Sequence, residues 1–205
     1  NVTLTANSAS KVYNGSEQSV SGFTGAPEDA AEDADFSAIT VRAAGTNVGT
    51  YTATFAEGKV GTVDATDKYI VTEAKNGSLL ITPYADEIVI KIKGSTNTQL
   101  YDGAEHVATG YSVEGVTVDG VASDLYGAEA GVDFTFKGTA SAKRTDAGTT
   151  AMGLTAGQFT NINKNFSNVT FEIVEDGSVT ITKRDVTLTS ASASKTYDGA
   201  PLVND

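Results

Sequence analysis

The chain has 205 residues, with 26 Asp and Glu against 14 Lys and Arg, so its formal charge is −12. This acidic balance argues against binding to nucleic acid and against electrostatic attachment to anionic lipid. The lack of Cys excludes disulfides and thiolate chemistry, and a single His excludes a histidine metal cluster. No apolar run approaches the roughly 20 residues that span a bilayer, so no membrane insertion is expected. Because the chain does not begin with Met, we expect a segment of a longer protein.

The predicted elements are almost all β-strands. At the start of the chain, Val2 and Leu4 alternate with Thr3 and Thr5, which gives one apolar and one polar face. Thr and Val suit such a pleated, half-exposed surface. The pattern favours antiparallel sheets with one wet face, and strands of about six residues between turn signals predict a β-sandwich. Further along the chain, the same alternation recurs at Tyr51-Ala53-Phe55, Val169-Phe171-Ile173 and Val179-Ile181.

Three motifs recur in the same order along the chain, which indicates tandem repeats. The motifs are a Tyr-Asn/Asp-Gly triplet at Tyr13, Tyr101 and Tyr197, a Gly-Thr strand start at Gly49 and Gly148, and an Asn/Asp-Gly-Ser block at Asn76 and Asp176. The spacing predicts a first repeat over residues 1–87, a second over 88–185, and the start of a third over 186–205. The triplets themselves predict turns beside a packed Tyr, with a repeated aromatic binding spot as the alternative.

Turn signals refine this map. Asp119-Gly120, between apolar residues, predicts an extra β-hairpin near 113–125 that the first repeat lacks. Asn76-Gly77 and Asp176-Gly177 predict tight hairpin turns with glycine at positive φ. Asn47-Val48-Gly49-Thr50-Tyr51 has the spacing of a tyrosine corner, in which the Tyr hydroxyl binds the preceding turn. The second repeat carries Thr150 in place of this Tyr.

Taken together, the motifs resemble the MBG (YDG-type) repeats, which are immunoglobulin-like β modules strung in tandem in large bacterial surface proteins and adhesins. The resemblance covers both full repeats and the start of the third, and departs from the family pattern at Asn14, at Thr150 and in the extra hairpin. It implies an all-β fold of tandem immunoglobulin-like β-sandwich domains in an elongated arrangement, ending in a strand of a third repeat. It also implies an extracellular, cell-surface stalk with a structural or adhesive role.

Two other functions remain open at this point. The extra hairpin could read a carbohydrate or a host protein, because loops on rigid sandwiches often carry recognition. Alternatively, the strand expected at Val186–Thr189 could pair with another copy of the chain, which would make the protein a filament subunit built by β-strand addition. We expect this strand either to pair in that way or to pack on the end of the second repeat. Pairing with nothing would remove the sequence support for the filament.

No constellation of residues predicts an enzyme, a cofactor or a metal site. His106 stands without a nucleophile or an orienting partner in the sequence and is expected to be an ordinary surface residue. In some surface immunoglobulin-like domains a buried Lys forms an isopeptide bond to an Asn. Lys11 and Lys195 stand two residues before the repeat Tyr, where such a Lys could lie. Because Gln99 occupies this place in the second repeat, a shared cross-link is not expected. Oxygen-rich loops could hold calcium, although solvated acidic loops are the expected reading. These loop residues are Glu28, Asp29, Glu32, Asp33 and Asp35, with Asp64 and Asp67 as a second set.

Overall fold

The computed structural model describes residues 1–27, 39–56 and 69–202. The fold is all-β, with 51% of the chain in strands, and no α-helix occurs in the described ranges. A short 3-10 turn covers Ala156–Gln158. The described strands are β1 (Val2–Ala6), β2 (Ala9–Val12), β3 (Gln18–Ser21), β4 (Phe23–Thr24), β5 (Arg42–Gly45), β6 (Gly49–Ala53), β7 (Val71–Lys75), β8 (Gly77–Thr82), β9 (Ile88–Gly94), β10 (Thr96–Leu100), β11 (His106–Thr109), β12 (Tyr111–Val118), β13 (Val121–Ala122), β14 (Phe134–Phe136), β15 (Ser141–Arg144), β16 (Gly148–Ala151), β17 (Phe159–Asn161), β18 (Val169–Glu175) and β19 (Ser178–Thr182).

Contacts along the chain define two compact units. Unit one comprises Asn1–Lys93, Ser112–Gly138 and Thr155–Val174, and unit two comprises Gly94–Tyr111, Thr139–Leu154 and Glu175–Asp205. Unit one contains the sheets β4-β1-β7, β2-β8-β6, β3-β5 and β14-β17, together with nearly all of β13-β12-β9-β18. Unit two contains β10-β19-β16 and β11-β15. The repeat boundaries at residues 87 and 185 stay predictions, because the two units describe which residues pack together and not which segments repeat.

Each unit has an apolar core that follows the predicted alternation. In unit one, Leu4 of β1 packs with Val71 of β7, and Leu79 and Ile81 of β8 are fully buried in a second cluster. In unit two, Val179 and Ile181 of β19 pack with small residues of β11 and β15. The Thr residues between them face outward or lie half-buried, as the period of two requires.

Three of the described sheets are mixed, which corrects the expectation of antiparallel sheets for them, while β3-β5, β11-β15 and β14-β17 are antiparallel as expected. β1 pairs with β7 in parallel, and so do β2 with β8 and β10 with β19. Antiparallel partners occupy the other side of the central strands, since β6 pairs with β8 and β16 with β19. Parallel pairs join strands that are distant in sequence, so local alternation carries no signal of their direction.

Gly77 and Gly177 lie where paired strands change sheets, so the hairpin turns predicted at these two positions do not form. β7 and β8 belong to different sheets, so Asn76-Gly77 is a crossover, and Gly77 is not among the residues with positive φ. A Cβ on Gly77 would lie 2.2 Å from the carbonyl oxygen of Asn7, where β1 crosses to β2. In unit two, a Cβ on Gly94 would lie 2.4 Å from the carbonyl oxygen of Asp176. Close backbone contact therefore selects glycine at Gly77 and Gly94, while Gly177 also has a φ of 74°.

The segment 186–202 forms no strand, although a strand was expected at Val186–Thr189. Leu188 is 91% exposed and Tyr197 is 93% exposed. In sequence, residues 186–199 closely repeat 2–15, where β1 and β2 form because β7 and β8 lie beside them. The described part of the chain has no such strands beside 186–199, so the backbone of this segment has no neighbouring strand to pair with. Among the strands that the structure describes, none pairs with this segment, and pairing with another copy of the chain stays a prediction.

The crossover glycines are expected to be sensitive to a single added methyl group. Gly77→Ala should destabilise the fold by about 1–3 kcal/mol, because the methyl group meets backbone atoms that cannot move aside. Gly157→Ala is the matched control, since nothing lies within 4 Å of its Cβ position, and it should change stability by less than about 0.5 kcal/mol. Urea unfolding of the two variants measures the difference. Equal midpoints would contradict the backbone contact at Gly77.

Candidate functional site

A loop of alternating asparagines in unit one is held by several side-chain hydrogen bonds. We call residues 161–167 the connector loop. The Asn161 Oδ1 atom accepts the Asn163 backbone N–H at 3.0 Å, and the Asn163 Oδ1 atom accepts that of Asn165 at 3.0 Å. The Asn161 amide group also donates to the carbonyl oxygen of Phe166 at 3.1 Å. These side-chain bonds replace a ladder and hold the loop in one conformation.

A buried carboxylate supports the connector loop from below. Asp133 is 7% exposed, and its Oδ1 atom accepts the Asn163 amide group at 2.6 Å. Its Oδ2 atom accepts the backbone N–H of Glu129 at 3.0 Å. The Tyr126 hydroxyl donates to the Asp133 carbonyl oxygen at 2.8 Å. Burial, together with the charge of Asp133, raises the pKa of Tyr126, so this hydroxyl stays protonated and can remain a donor.

The connector loop presents one aromatic ring to the N-terminal residues of the chain. Phe166 is buried, and its ring centroid lies 5.2 Å from that of Tyr13 and 5.0 Å from that of Tyr126, both edge to face. Beside it, Asn165 Oδ1 accepts the backbone N–H of Val48 at 2.8 Å. Burying one Phe side chain contributes about 1.5–3 kcal/mol. The contact therefore joins segments more than a hundred residues apart in sequence.

The linker between β8 and β9 is bound by the same loop. The backbone N–H of Tyr84 donates to the carbonyl oxygen of Asn165 at 2.9 Å, and that of Ser167 donates to the carbonyl oxygen of Tyr84 at 3.0 Å. A hydrogen bond with the Asp86 carboxylate, then burial and the charges of Asp86 and Asp119, raises the pKa of Tyr84. Both the backbone N–H and the carbonyl oxygen of Tyr84 are thus hydrogen-bonded to the connector loop.

The hairpin predicted near 113–125 is present and braces this linker. β12 and β13 pair through Thr117 and Val118, and the turn residues Asp119 and Gly120 have φ of 47° and 81°. The Asp119 backbone N–H donates to the carbonyl oxygen of Glu87 at 3.0 Å, and the Glu87 N–H donates back to Asp119 Oδ1 at 3.3 Å. β12 is also a member of the four-stranded sheet, so the insertion is built into the fold.

The predicted tyrosine corner forms in unit one. The Tyr51 hydroxyl donates to the carbonyl oxygen of Asn47 at 2.9 Å. Its ring occupies the space beside Gly45, where an added Cβ would lie 2.1 Å from the ring carbon that bears the hydroxyl. Only a residue without a side chain fits under this ring.

An arginine fills the corresponding corner in unit two. Arg144 and Thr150 follow Gly45 and Tyr51 by the same offset of 99 positions. The Arg144 guanidinium donates to the carbonyl oxygens of Asp146 at 2.7 Å and Ala147 at 2.9 Å. Gly45 thus corresponds to the larger Arg144, and Tyr51 corresponds to the smaller Thr150. In both corners a side chain donates a hydrogen bond to the carbonyl groups of the turn.

All three Tyr-Asn/Asp-Gly triplets form the predicted turns, but the expected packing of the Tyr is wrong at Tyr197, whose side chain is exposed. Asn14, Asp102 and Asp198 each accept, through Oδ1, the backbone N–H two residues ahead, at 3.0, 2.8 and 3.0 Å. The following glycines have φ of 80°, 82° and 76°. The Ala104 N–H, then His106, lowers the pKa of Asp102, while Lys195 lowers that of Asp198.

The other candidates from the sequence have ordinary polar partners where the structure describes them. His106 Nε2 lies 3.0 Å from Asp102 Oδ1, so this His has a carboxylate partner from the triplet turn. Lys11 donates to the carbonyl oxygen of Ser19, and Gln99 donates to Asn97. Within the described ranges, no group of three or more His, Asp or Glu could hold a metal ion. The acidic loop residues lie outside the described residues; they are Glu28, Asp29, Glu32, Asp33, Asp35, Asp64 and Asp67.

Sequence reasoning missed the connector loop. Its signal was present as Asn161, Asn163 and Asn165 at a spacing of two, followed by Phe166. Spaced asparagines indicate side-chain-to-backbone turns, and an aromatic residue at the end of such a run is exposed unless it docks elsewhere. The docking partner could not be read from the run itself.

Comparison with known proteins identifies part of the chain. Residues 88–183, which run from β9 to β19, match the model of the MBG domain. The chain matches no curated protein and no solved structure. No helix long and apolar enough to cross a bilayer occurs in residues 1–27, 39–56 or 69–202.

The exchanged corner residues are expected to depend on each other. Arg144→Gly alone removes the donors to the corner carbonyls, and Thr150→Tyr alone forces a ring against the guanidinium, so each should destabilise the protein. The double variant R144G/T150Y should recover at least about 1 kcal/mol relative to the sum of the single changes. Chemical unfolding of all four proteins gives this coupling energy.

The double variant R144G/T150F is the control for the hydroxyl group. It restores the ring without its donor, so its recovery should be smaller by about 1 kcal/mol. Additive single changes would show that the two positions do not share one space.

Proposed function

With residues 88–183 an MBG domain, we propose that the chain is part of an extracellular stalk of a large bacterial surface protein. In this stalk, immunoglobulin-like β-sandwich repeats follow one another in tandem. The role is structural or adhesive, and the chain acts as a spacer that holds its neighbours at defined angles. The proposal has its main support in the docking of Phe166 between Tyr13 and Tyr126.

This docking favours a stiff joint between the two proposed repeats. On the repeat map, Tyr13 and Tyr84 lie in residues 1–87, while Phe166 lies in 88–185. The backbone of the linker is hydrogen-bonded at Tyr84 and again at Glu87. A flexible linker would leave such groups in water and allow a wide range of angles. Paired groups and a buried ring favour a narrow range.

The contacts of the extra hairpin also favour a structural role over ligand recognition. Its turn residue Asp119 binds Glu87 of the linker. Because β12 and β13 belong to the four-stranded sheet, deletion of residues 113–125 would remove most of one strand and all of another along with any ligand site. Recognition of a carbohydrate or a host protein by this hairpin stays a prediction from the sequence.

Small-angle scattering of the whole chain tests the stalk. A compact protein of 205 residues has a radius of gyration of about 17 Å. We expect a clearly larger value and a distance distribution with a long tail, because tandem repeats extend along one direction. The measurement needs moderate salt, since the charge of −12 makes molecules repel one another. A radius near that of a compact protein would contradict the stalk.

A variant of the connector loop tests the stiffness of the joint. Asn165→Ala removes the acceptor of the Val48 N–H without touching the buried ring. We expect a broader distance distribution in scattering, because the repeats gain angular freedom. Lys164→Ala, in the same loop but exposed, is the control and should match the wild type. Identical profiles for Asn165→Ala and the wild type would contradict the role of the loop.

A further inference from the structure

A mostly apolar cavity lies at one end of the sheet β10-β19-β16 in unit two. Its volume is about 430 Å³, and it is lined by Tyr101, Ala147, Lys183, Arg184 and Val186. Tyr101 is 40% exposed there. Cavities of a few hundred cubic ångströms with a few polar groups at the rim are typical of binding sites.

The framework around this cavity is built like the one that receives Phe166. The sheets β2-β8-β6 and β10-β19-β16 have the same strand order and the same directions. Their registers also agree, since Ile81 pairs with Lys11 and Gly49, and Ile181 pairs with Gln99 and Gly148.

The hydrogen bonds at the two sites agree as well. The Tyr13 N–H donates to the carbonyl oxygen of Thr82, and the Tyr101 N–H donates to that of Thr182, both at 2.9 Å. The Thr82 hydroxyl donates to the Lys11 carbonyl at 3.3 Å, and the Thr182 hydroxyl donates to the Gln99 carbonyl at 3.2 Å. The two Tyr rings are therefore anchored on the same backbone geometry.

Side chains around the cavity correspond to those around Phe166. Tyr101 stands where Tyr13 stands, and Ala147 stands where Val48 stands. Arg184 takes the place of Tyr84, because each is the third residue after the buried Ile of its central strand. In unit one the surface is covered by the ring of Phe166.

The two surfaces differ in charge. Pro83 and Tyr84 are uncharged, whereas Lys183 and Arg184 bring two cations to the cavity. The Arg184 Nε–H donates to the carbonyl oxygen of Tyr101 at 3.0 Å, which holds the guanidinium at the rim. Cations beside an apolar floor attract the face of an aromatic ring, and they favour a carboxylate near that ring over a lysine.

We propose that this cavity is the docking site for an aromatic side chain on the connector loop of the module that follows in the stalk. The partner loop carries an aromatic residue at the position of Phe166 and a neutral or acidic residue at the position of Lys164. The inference rests on the proposed stalk, because only a stalk supplies a following module.

An appended loop tests this site in the whole chain. The chain is extended after Asp205 by a flexible Gly-Ser linker and the sequence Thr160–Asn168, which gives a local loop concentration in the millimolar range. Amide chemical shifts are recorded with and without the extension. We expect shifts at Tyr101, Ala147 and Arg184, and none when Phe166→Ala is made in the appended copy. Lys164→Glu in the appended copy should tighten binding about two- to fivefold, through attraction to Lys183 and Arg184.

Three results would overturn the proposal. One is the absence of shifts at the cavity with the Phe-bearing loop, and another is equal shifts with the Ala-bearing loop, which would exclude an aromatic occupant. The third is shifts at Tyr13 and Val48 instead, which would mean that the appended loop exchanges with the native one. Scattering on the unextended chain tests the stalk separately, so either idea can fail without the other.

Discussion

The fold depends on the close contact of two backbones where paired strands change sheets together. At Gly77 a Cβ would meet the carbonyl oxygen of Asn7, and at Gly94 one would meet that of Asp176. These crossovers deliver β8 and β19 to the centres of their sheets in matching registers. The positions of the corner residues and of Tyr13 and Tyr101 follow from those registers. A side chain at the crossover would separate the strands and displace everything beyond them.

The two corners show that the fold requires a hydrogen-bond donor in the space beside the turn, and that residues of different types can supply it. In one corner a Tyr ring lies over Gly45, and in the other the Arg144 guanidinium lies over Gly148. Both solutions donate to carbonyl groups of the turn before the strand, which would otherwise lack a partner. Tyr supplies one donor on a rigid ring, while Arg supplies several on a planar fork. A motif defined by the Tyr recognises the first solution and overlooks the second.

The connector loop combines a rigid polar framework with a single apolar contact. Asn161 and Asn163 fix the loop from within, and Asp133 fixes it from below, so Phe166 loses little further freedom when it docks. Such preorganisation suits the stiff joint of the proposed stalk. The hairpin adds to this by binding the linker through Asp119, which gives the insertion a structural task.

The sequence by itself determined the strand class, the turns of the three Tyr-Asn/Asp-Gly triplets and the corner at Tyr51. These depend on contacts within a few residues, where alternation and turn chemistry are sufficient. Only the tertiary structure decided that Gly77 lies at a crossover, that Arg144 replaces a Tyr, and that Phe166 docks on Tyr13. Gly77 and Phe166 depend on partners far away in the chain, Asn7 and Tyr13, and the residues near them in sequence carry no trace of those partners. Arg144 instead binds carbonyl groups two and three residues ahead, a role that a motif defined by Tyr does not assign to it. The strand expected at Val186–Thr189 did not form, because a strand exists only beside another one, and alternation cannot supply the neighbour.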